Sequence, residues 1–175
     1  RFPVGLRTST AFYYVLGDSV VVEEPFDEID VESESETAGF KLAFTVKDYA
    51  NHNLAFTIGF ERKTSFTSLL GVPFDFGYGS VNGESKAAIA ELGAEYAYRQ
   101  VRQAFSVRTL VRKGVDALGA TILPGRPDGT FLSYRLQLEY VRRLGDGNWL
   151  WGTTLNAQST RDTLQSFERF SLGGN

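Results

Sequence analysis

Seven stretches of the chain alternate apolar and polar residues with a period of two, and no other feature of the sequence restricts the fold so strongly. A β-strand turns successive side chains to opposite faces, so each stretch reads as a strand with one face for an apolar medium and one for water. Residues 37–47 are the clearest case. Ala38, Phe40, Leu42, Phe44 and Val46 take one side, and Thr37, Gly39, Lys41, Ala43, Thr45 and Lys47 the other.

The other runs repeat the pattern. Leu6, Thr8, Thr10, Phe12, Tyr14 and Leu16 oppose Arg7, Ser9, Ala11 and Tyr13. Leu54, Phe56, Ile58 and Phe60 oppose Ala55, Thr57, Gly59, Glu61 and Lys63. Ala88, Ala90, Leu92, Ala94, Tyr96 and Tyr98 face away from Glu91, Gly93, Glu95 and Arg99. Phe105, Val107, Thr109 and Val111 oppose Ser106, Arg108 and Arg112, with Leu110 as the misfit. Leu132, Tyr134, Leu136, Leu138 and Tyr140 oppose Ser133, Arg135, Gln137, Glu139 and Arg143. Trp149, Trp151, Thr153, Leu155 and Ala157 oppose Gly152, Thr154, Asn156 and Gln158.

Each run matches or exceeds the roughly 9–11 residues that a tilted strand needs to cross a bilayer. Tight connections near residues 49–52, 100–102 and 146–147 alternate with long ones at 17–36, 68–85 and 114–130. Short turns on one side and long loops on the other define an all-β, antiparallel transmembrane barrel with periplasmic turns and extracellular loops. Tyr96, Tyr98, Tyr140, Trp149 and Trp151 lie on the apolar side close to the tight turns, where they would form an aromatic girdle at the membrane interface. A soluble β-sandwich also alternates, but its outer face is polar, whereas here the apolar face ends in aromatics and the other is charged.

Composition agrees. The net charge is −3, aromatics make up 14%, and no run approaches the roughly 18 apolar residues of a spanning helix. The absence of cysteine suits an oxidising envelope. With no Met and no signal peptide, we expect an internal piece of a longer, exported chain. Single-chain bacterial barrels use an even number of strands, at least about eight. Seven would leave open edges in lipid.

Four motifs in order, GDSVVVEEPF at 17–26, TSLLGVPF at 67–74, GVDALGATI at 114–122 and FSLGG at 170–174, resemble the haemolysin secretion/activation family. These are the outer-membrane transporters of two-partner secretion in Gram-negative bacteria. The resemblance covers essentially all of residues 1–175 and implies part of a single barrel domain of about sixteen strands, this chain supplying roughly the fifth to eleventh. It also implies upstream periplasmic polypeptide-transport-associated domains and a plug helix. The implied function is a pore that secretes and activates a large exoprotein of haemolysin or adhesin type. Phe170, Leu172, Gly173 and Gly174 match the base of a loop that in such transporters folds back into the lumen and carries Val-Arg-Gly-aromatic, which would follow Asn175. Its implied partners are unfolded exoprotein cargo and outer-membrane lipid.

The inward positions give a cation-rich lining: Arg7, Lys41, Lys47, Glu61, Lys63, Glu91, Glu95, Arg99, Arg108, Arg112, Arg135, Glu139 and Arg143. Such charges hydrate and brace a wall, hold a plug, or guide a polypeptide through weak contacts. With the turn near 98–102, Glu95 and Arg108 fall nearly opposite. Residues 17–36 hold nine acidic and no basic residues, Asp18, Glu23, Glu24, Asp27, Glu28, Asp30, Glu32, Glu34 and Glu36. They lack an Asp-x-Asp-x-Asp-Gly loop for Ca²⁺ and read as a solvated surface. The sole histidine, His52, reads as a solvated turn residue, which argues against a histidine triad or a multi-histidine zinc site. Glu91 and Glu95 share a face, yet nearby arginines suit them to ion pairing rather than to acid–base work. No enzyme, cofactor, metal, small-molecule substrate or nucleic acid is indicated. Alternatives are a related barrel that inserts other outer-membrane proteins, a passive porin and a barrel enzyme.

Overall fold

The computed structural model describes residues 2–5, 7–20, 31–76, 79–123, 125–145 and 149–169. They form one antiparallel sheet of nine strands. The strands are β1 (Phe2–Gly5), β2 (Thr8–Val20), β3 (Val31–Asp48), β4 (His52–Leu69), β5 (Val72–Pro73), β6 (Glu84–Arg99), β7 (Gln103–Val115), β8 (Phe131–Leu144) and β9 (Trp149–Thr160). Each long strand pairs with its neighbours in sequence, in the order β1-β2-β3-β4-β6-β7-β8-β9, and β5 adds a small flap to β4. The seven expected strands are the seven long ones, running as an all-β antiparallel meander. The sheet is open, with β1 and β9 at its edges. Among the described residues no helix is long and apolar enough to cross a membrane, which says nothing of strands.

Register fixes the two faces. On the apolar face Phe12, Phe40, Phe60 and Ala90 stand in one cross-strand row, and Thr10, Leu42, Ile58, Leu92, Val111 and Tyr134 in the next. Phe12, Phe40 and Phe60 follow one another at ring-centroid spacings of 6.4 Å. Ile58 is 49% exposed and Leu92 55%, although both sit in long strands paired on both sides. A sheet face this apolar and this uncovered is stable only against lipid or another apolar surface.

Two departures from strict alternation have local causes. A bulge between Thr45 and Lys47 puts one extra residue into β3, so Lys47 pairs with Leu54 and joins the apolar face instead of the polar one expected for it. The misfit Leu110 stays on the polar face, where its Cδ1 covers Gly93 at 3.4 Å from the position a Cβ would take.

The turns at 49–52 and 100–103 are as short as expected. Tyr49 N and His52 N exchange hydrogen bonds with each other's carbonyls at 2.8 and 3.3 Å, and Gln100 N donates to Gln103 O at 2.7 Å. His52 is not a free turn residue: its Nδ1 lies 2.8 Å from Tyr96 Oη and its ring packs on Tyr98 at 4.9 Å. The long connections are anchored at their roots. Asp128 accepts from Thr130 N at 2.7 Å and from Leu123 N at 3.2 Å, next to the start of β6, where Thr121 N bonds Lys86 O at 2.9 Å. β2 runs to Val20, so the strand extends into the region expected to loop. Residues 21–30, with most of the acidic run, lie outside the described residues, as do the turn at 146–147 and Phe170, Leu172, Gly173 and Gly174.

Candidate functional site: a buried ion cluster on the polar face

Past β9 the chain does not stay at the sheet edge. Residues 163–169 turn back onto the polar face, ending in a short 3₁₀ turn, Ser166–Glu168. Leu164 and Phe167 pack there against Ala87, Ile89 and Phe131, which form the buried apolar cluster of the described residues. Gln165 Nε2 donates to Gly79 O at 3.1 Å, tying the segment to the loop before β6.

This packing delivers Glu168, 0% exposed, to Arg112, 2% exposed. Arg112 pairs with three carboxylates at once: Glu91, from Nε to Oε1 at 2.8 Å, Glu61 through Nη2 and Glu168 through Nη1. The register explains the first two. Glu91 stands directly across the β6–β7 ladder from Arg112, and Glu61 on β4 is displaced by two residues along the same face, opposite Ile89. Glycines open the space. At Gly59 a Cβ would meet Lys41 Cγ at 3.2 Å and Glu91 Oε2 at 3.3 Å, and at Gly39 it would meet Tyr13 Oη at 2.6 Å. Lys41 therefore reaches Glu91 Oε2 at 3.0 Å, and Tyr13 Oη donates to Glu61 Oε2 at 2.7 Å.

The remaining cations gather around Glu168. Lys63 Nζ lies 3.0 Å from Glu168 Oε1 and 3.5 Å from Glu61 Oε1. Arg135 Nη2 donates to Glu168 O at 3.0 Å, and Gln158 Nε2 to the same carbonyl at 2.9 Å. Three carboxylates thus meet four cations, Lys41, Lys63, Arg112 and Arg135. A carboxylate excluded from water is tolerable only when paired and hydrogen-bonded in this way. Cations occupy all three carboxylates, and the arrangement's chemical capacity is to fasten five strands, β3, β4, β6, β7 and β8, and the return segment together. Among the described residues no group of His, Cys, Asp and Glu is placed to hold a metal ion.

Glu95 and Arg108 form the cross-strand pair that the turn position predicts, with Arg108 Nε 3.0 Å and Nη2 2.6 Å from Glu95 Oε2. Both are well exposed, so Glu95→Gln should cost less than about 1 kcal/mol in urea unfolding, and a larger loss would mean the pair is far drier than it stands here. Glu139 accepts from Gln137 at 2.9 Å, and Arg7 is exposed at the start of β2, its carbonyl accepting from Thr45 N at 2.8 Å. Neither joins the cluster. Between the cluster and the Glu95–Arg108 pair lies a concave trough of about 460 Å³, lined largely by small residues such as Ala11, Ala43, Ala55, Thr57 and Gly93. Tyr96, Tyr98, Tyr140 and Trp151 stand on the apolar face near the turns, Tyr140 packed edge-on against Trp151 at 5.6 Å, with Trp149 nearer the chain reversal. Sequence reading picked out most of the cluster but missed Glu168, Tyr13's hydroxyl and Gln158. Tyr13 and Gln158 were legible as polar-face positions, whereas Glu168 lies outside any periodic strand.

A long-stranded antiparallel meander, bare and apolar on one face and charged on the other, is a wall of a transmembrane β-barrel. The chain belongs to the haemolysin secretion/activation protein family, ShlB/FhaC/HecB, whose profile matches residues 1–175. Among solved structures it is similar in fold to CdiB from Acinetobacter baumannii, with a TM-score of 0.66 and 14% identity over 95% of this chain. The match spans 28% of the length of that protein. No curated protein matches the chain in sequence.

Proposed function

We propose that this chain is part of a single outer-membrane barrel domain forming the translocation pore of a two-partner secretion system, which exports and activates a large exoprotein of haemolysin or adhesin type. Its apolar face meets the lipid of a Gram-negative outer membrane. Its polar face lines the path of the unfolded cargo, and Lys41, Glu61, Lys63, Glu91, Glu95, Arg108, Arg112, Arg135 and Glu139 belong to that lining. Membership of the family supports the reading. The single observation that carries it is the return segment seated on the polar face by Glu168. A pore whose own chain folds back onto its lining and is held there by ion pairs suits a regulated conduit better than a passive sieve.

Co-expression of the full-length protein with its exoprotein tests this. Exoprotein should reach the medium only when the transporter is present, with other outer-membrane proteins at unchanged levels. General depletion of outer-membrane barrels on its removal would instead favour an assembly barrel. Uptake of small solutes without secretion would favour a porin.

A further inference from the structure

Among the described residues three that are not glycine have positive φ, and each is followed by a glycine that also does. They are Leu70–Gly71 (53° and 73°), Asn82–Gly83 (52° and 75°) and Leu118–Gly119 (50° and 76°). All three are two-residue turns of the mirror-image kind on the side of the long loops. The Leu69–Val72 pair closes the first, Val81 and Glu84 exchange hydrogen bonds at 2.9 and 3.1 Å around the second, and Ala120 N donates to Ala117 O at 3.0 Å across the third. Asparagine is an ordinary residue for the first place of such a turn, because its short polar side chain tolerates the left-handed region. A bulky apolar side chain is strained there.

The asparagine turn is packed into the protein and the leucine turns are not. At Gly83 a Cβ would run into Thr67 O, while at Gly71 and Gly119 it would meet nothing within 4 Å. Leu70 is 65% exposed and Leu118 61%. Neither turn propensity nor packing therefore accounts for the two leucines. Val72, Phe74 and Phe76 continue the exposed apolar surface from Leu70, the two rings edge-on at 4.7 Å. The frame beneath is well bonded: Thr67 N donates to Gly83 O at 2.9 Å, Phe74 N to Thr67 O at 3.1 Å, and Gly83 N to Asp75 Oδ1 at 2.6 Å. A strained residue on a firm frame, with its apolar side chain in water, marks a contact surface.

Geometry narrows the occupant. On the apolar face of β4, Phe60 gives way to Arg62 and Thr64, and the strand runs on to Leu69. At a rise of about 3.3 Å per residue, the Leu70 tip stands roughly 30 Å of strand past Phe60, beyond the reach of lipid chains. Two copies in one membrane point their tips the same way, so the tips cannot meet end on. A polypeptide leaving along the polar face passes them with apolar side chains that have not yet found a core.

We propose that the Leu70 and Leu118 turns hold apolar segments of the exoprotein as it emerges, unfolded, from the pore. This rests on the secretion reading above and adds to it a receiving surface outside the membrane.

Secretion by the full-length transporter, with the photo-crosslinker p-benzoylphenylalanine replacing Leu70 or Leu118, tests it. Light should join both positions to the exoprotein during secretion. Joining to a second transporter or to lipid instead would overturn the proposal. Leu70→Asn with Leu118→Asn removes the apolar tips and relieves the backbone, so this variant should fold at least as well, judged by heat-modified gel mobility. It should nevertheless release roughly 5- to 10-fold less exoprotein, the scale of losing a partly buried leucine contact. Leu70→Met with Leu118→Met keeps both the apolar surface and the strain, and should secrete like the wild type. Undiminished secretion by the asparagine variant, or an equal loss in the methionine variant, would overturn the proposal while leaving the secretion reading intact. A wild type that secretes nothing would overturn the secretion reading, and this proposal with it.

Discussion

Arg112→Ala should cost the folded full-length barrel about 3–5 kcal/mol in urea unfolding in lipid, the penalty for removing one partner of a buried ionic network. Without the guanidinium, Glu61, Glu91 and Glu168 face one another with Lys41, Lys63 and Arg135 left to offset them from the margins. Glu168, with no exposure of its own, cannot regain water unless residues 163–169 lift off the sheet. The variant should therefore expose that segment to protease as well as lower stability. Arg112→Lys should fall between, because one ammonium cannot address three carboxylates from the directions that Nε, Nη1 and Nη2 do. A loss under about 1 kcal/mol for Arg112→Ala would mean that water reaches the cluster freely.

Leu136→Arg and Gln137→Arg should differ sharply although they are adjacent. Leu136 stands between Thr109 and Ala157 on the apolar face, well inside β8, and an arginine there should cost roughly 2–4 kcal/mol near the bilayer midplane. Gln137 stands between Arg108 and Asn156 on the polar face, where another cation is solvated and the change should be tolerated. Equal losses in the same urea assay would sink the assignment of the two faces.

The faces were legible because alternation is a local property: Leu136 and Gln137 can be told apart with no knowledge of their neighbours. The Glu95–Arg108 pair was legible for the same reason, since one tight turn fixes the register around it. What escaped the sequence is what depends on a single extra residue or on distant chain. The bulge near Val46 moves Lys47 to the other side without leaving a compositional trace. His52 looks like a solvated turn residue until Tyr98 is placed directly across the ladder from it and Tyr96 across from Leu54, the next residue on the same face. Glu168 sits in a short irregular segment whose partners, Lys63, Arg112 and Arg135, come from three strands. No period in the sequence joins them.

The same geometry sets an order of assembly. Every ladder of the meander closes between successive strands, so the sheet can grow hairpin by hairpin with little loop entropy to overcome at each step. The Lys63–Glu168 contact is different, spanning 105 residues. Until the chain has passed β9 and doubled back, Arg112 lacks its third carboxylate and the apolar patch around Ile89 and Phe131 lacks its cover. The return segment is thus a clasp that closes after β9 has formed, and a chain halted before it would hold strands whose charges have not yet been matched.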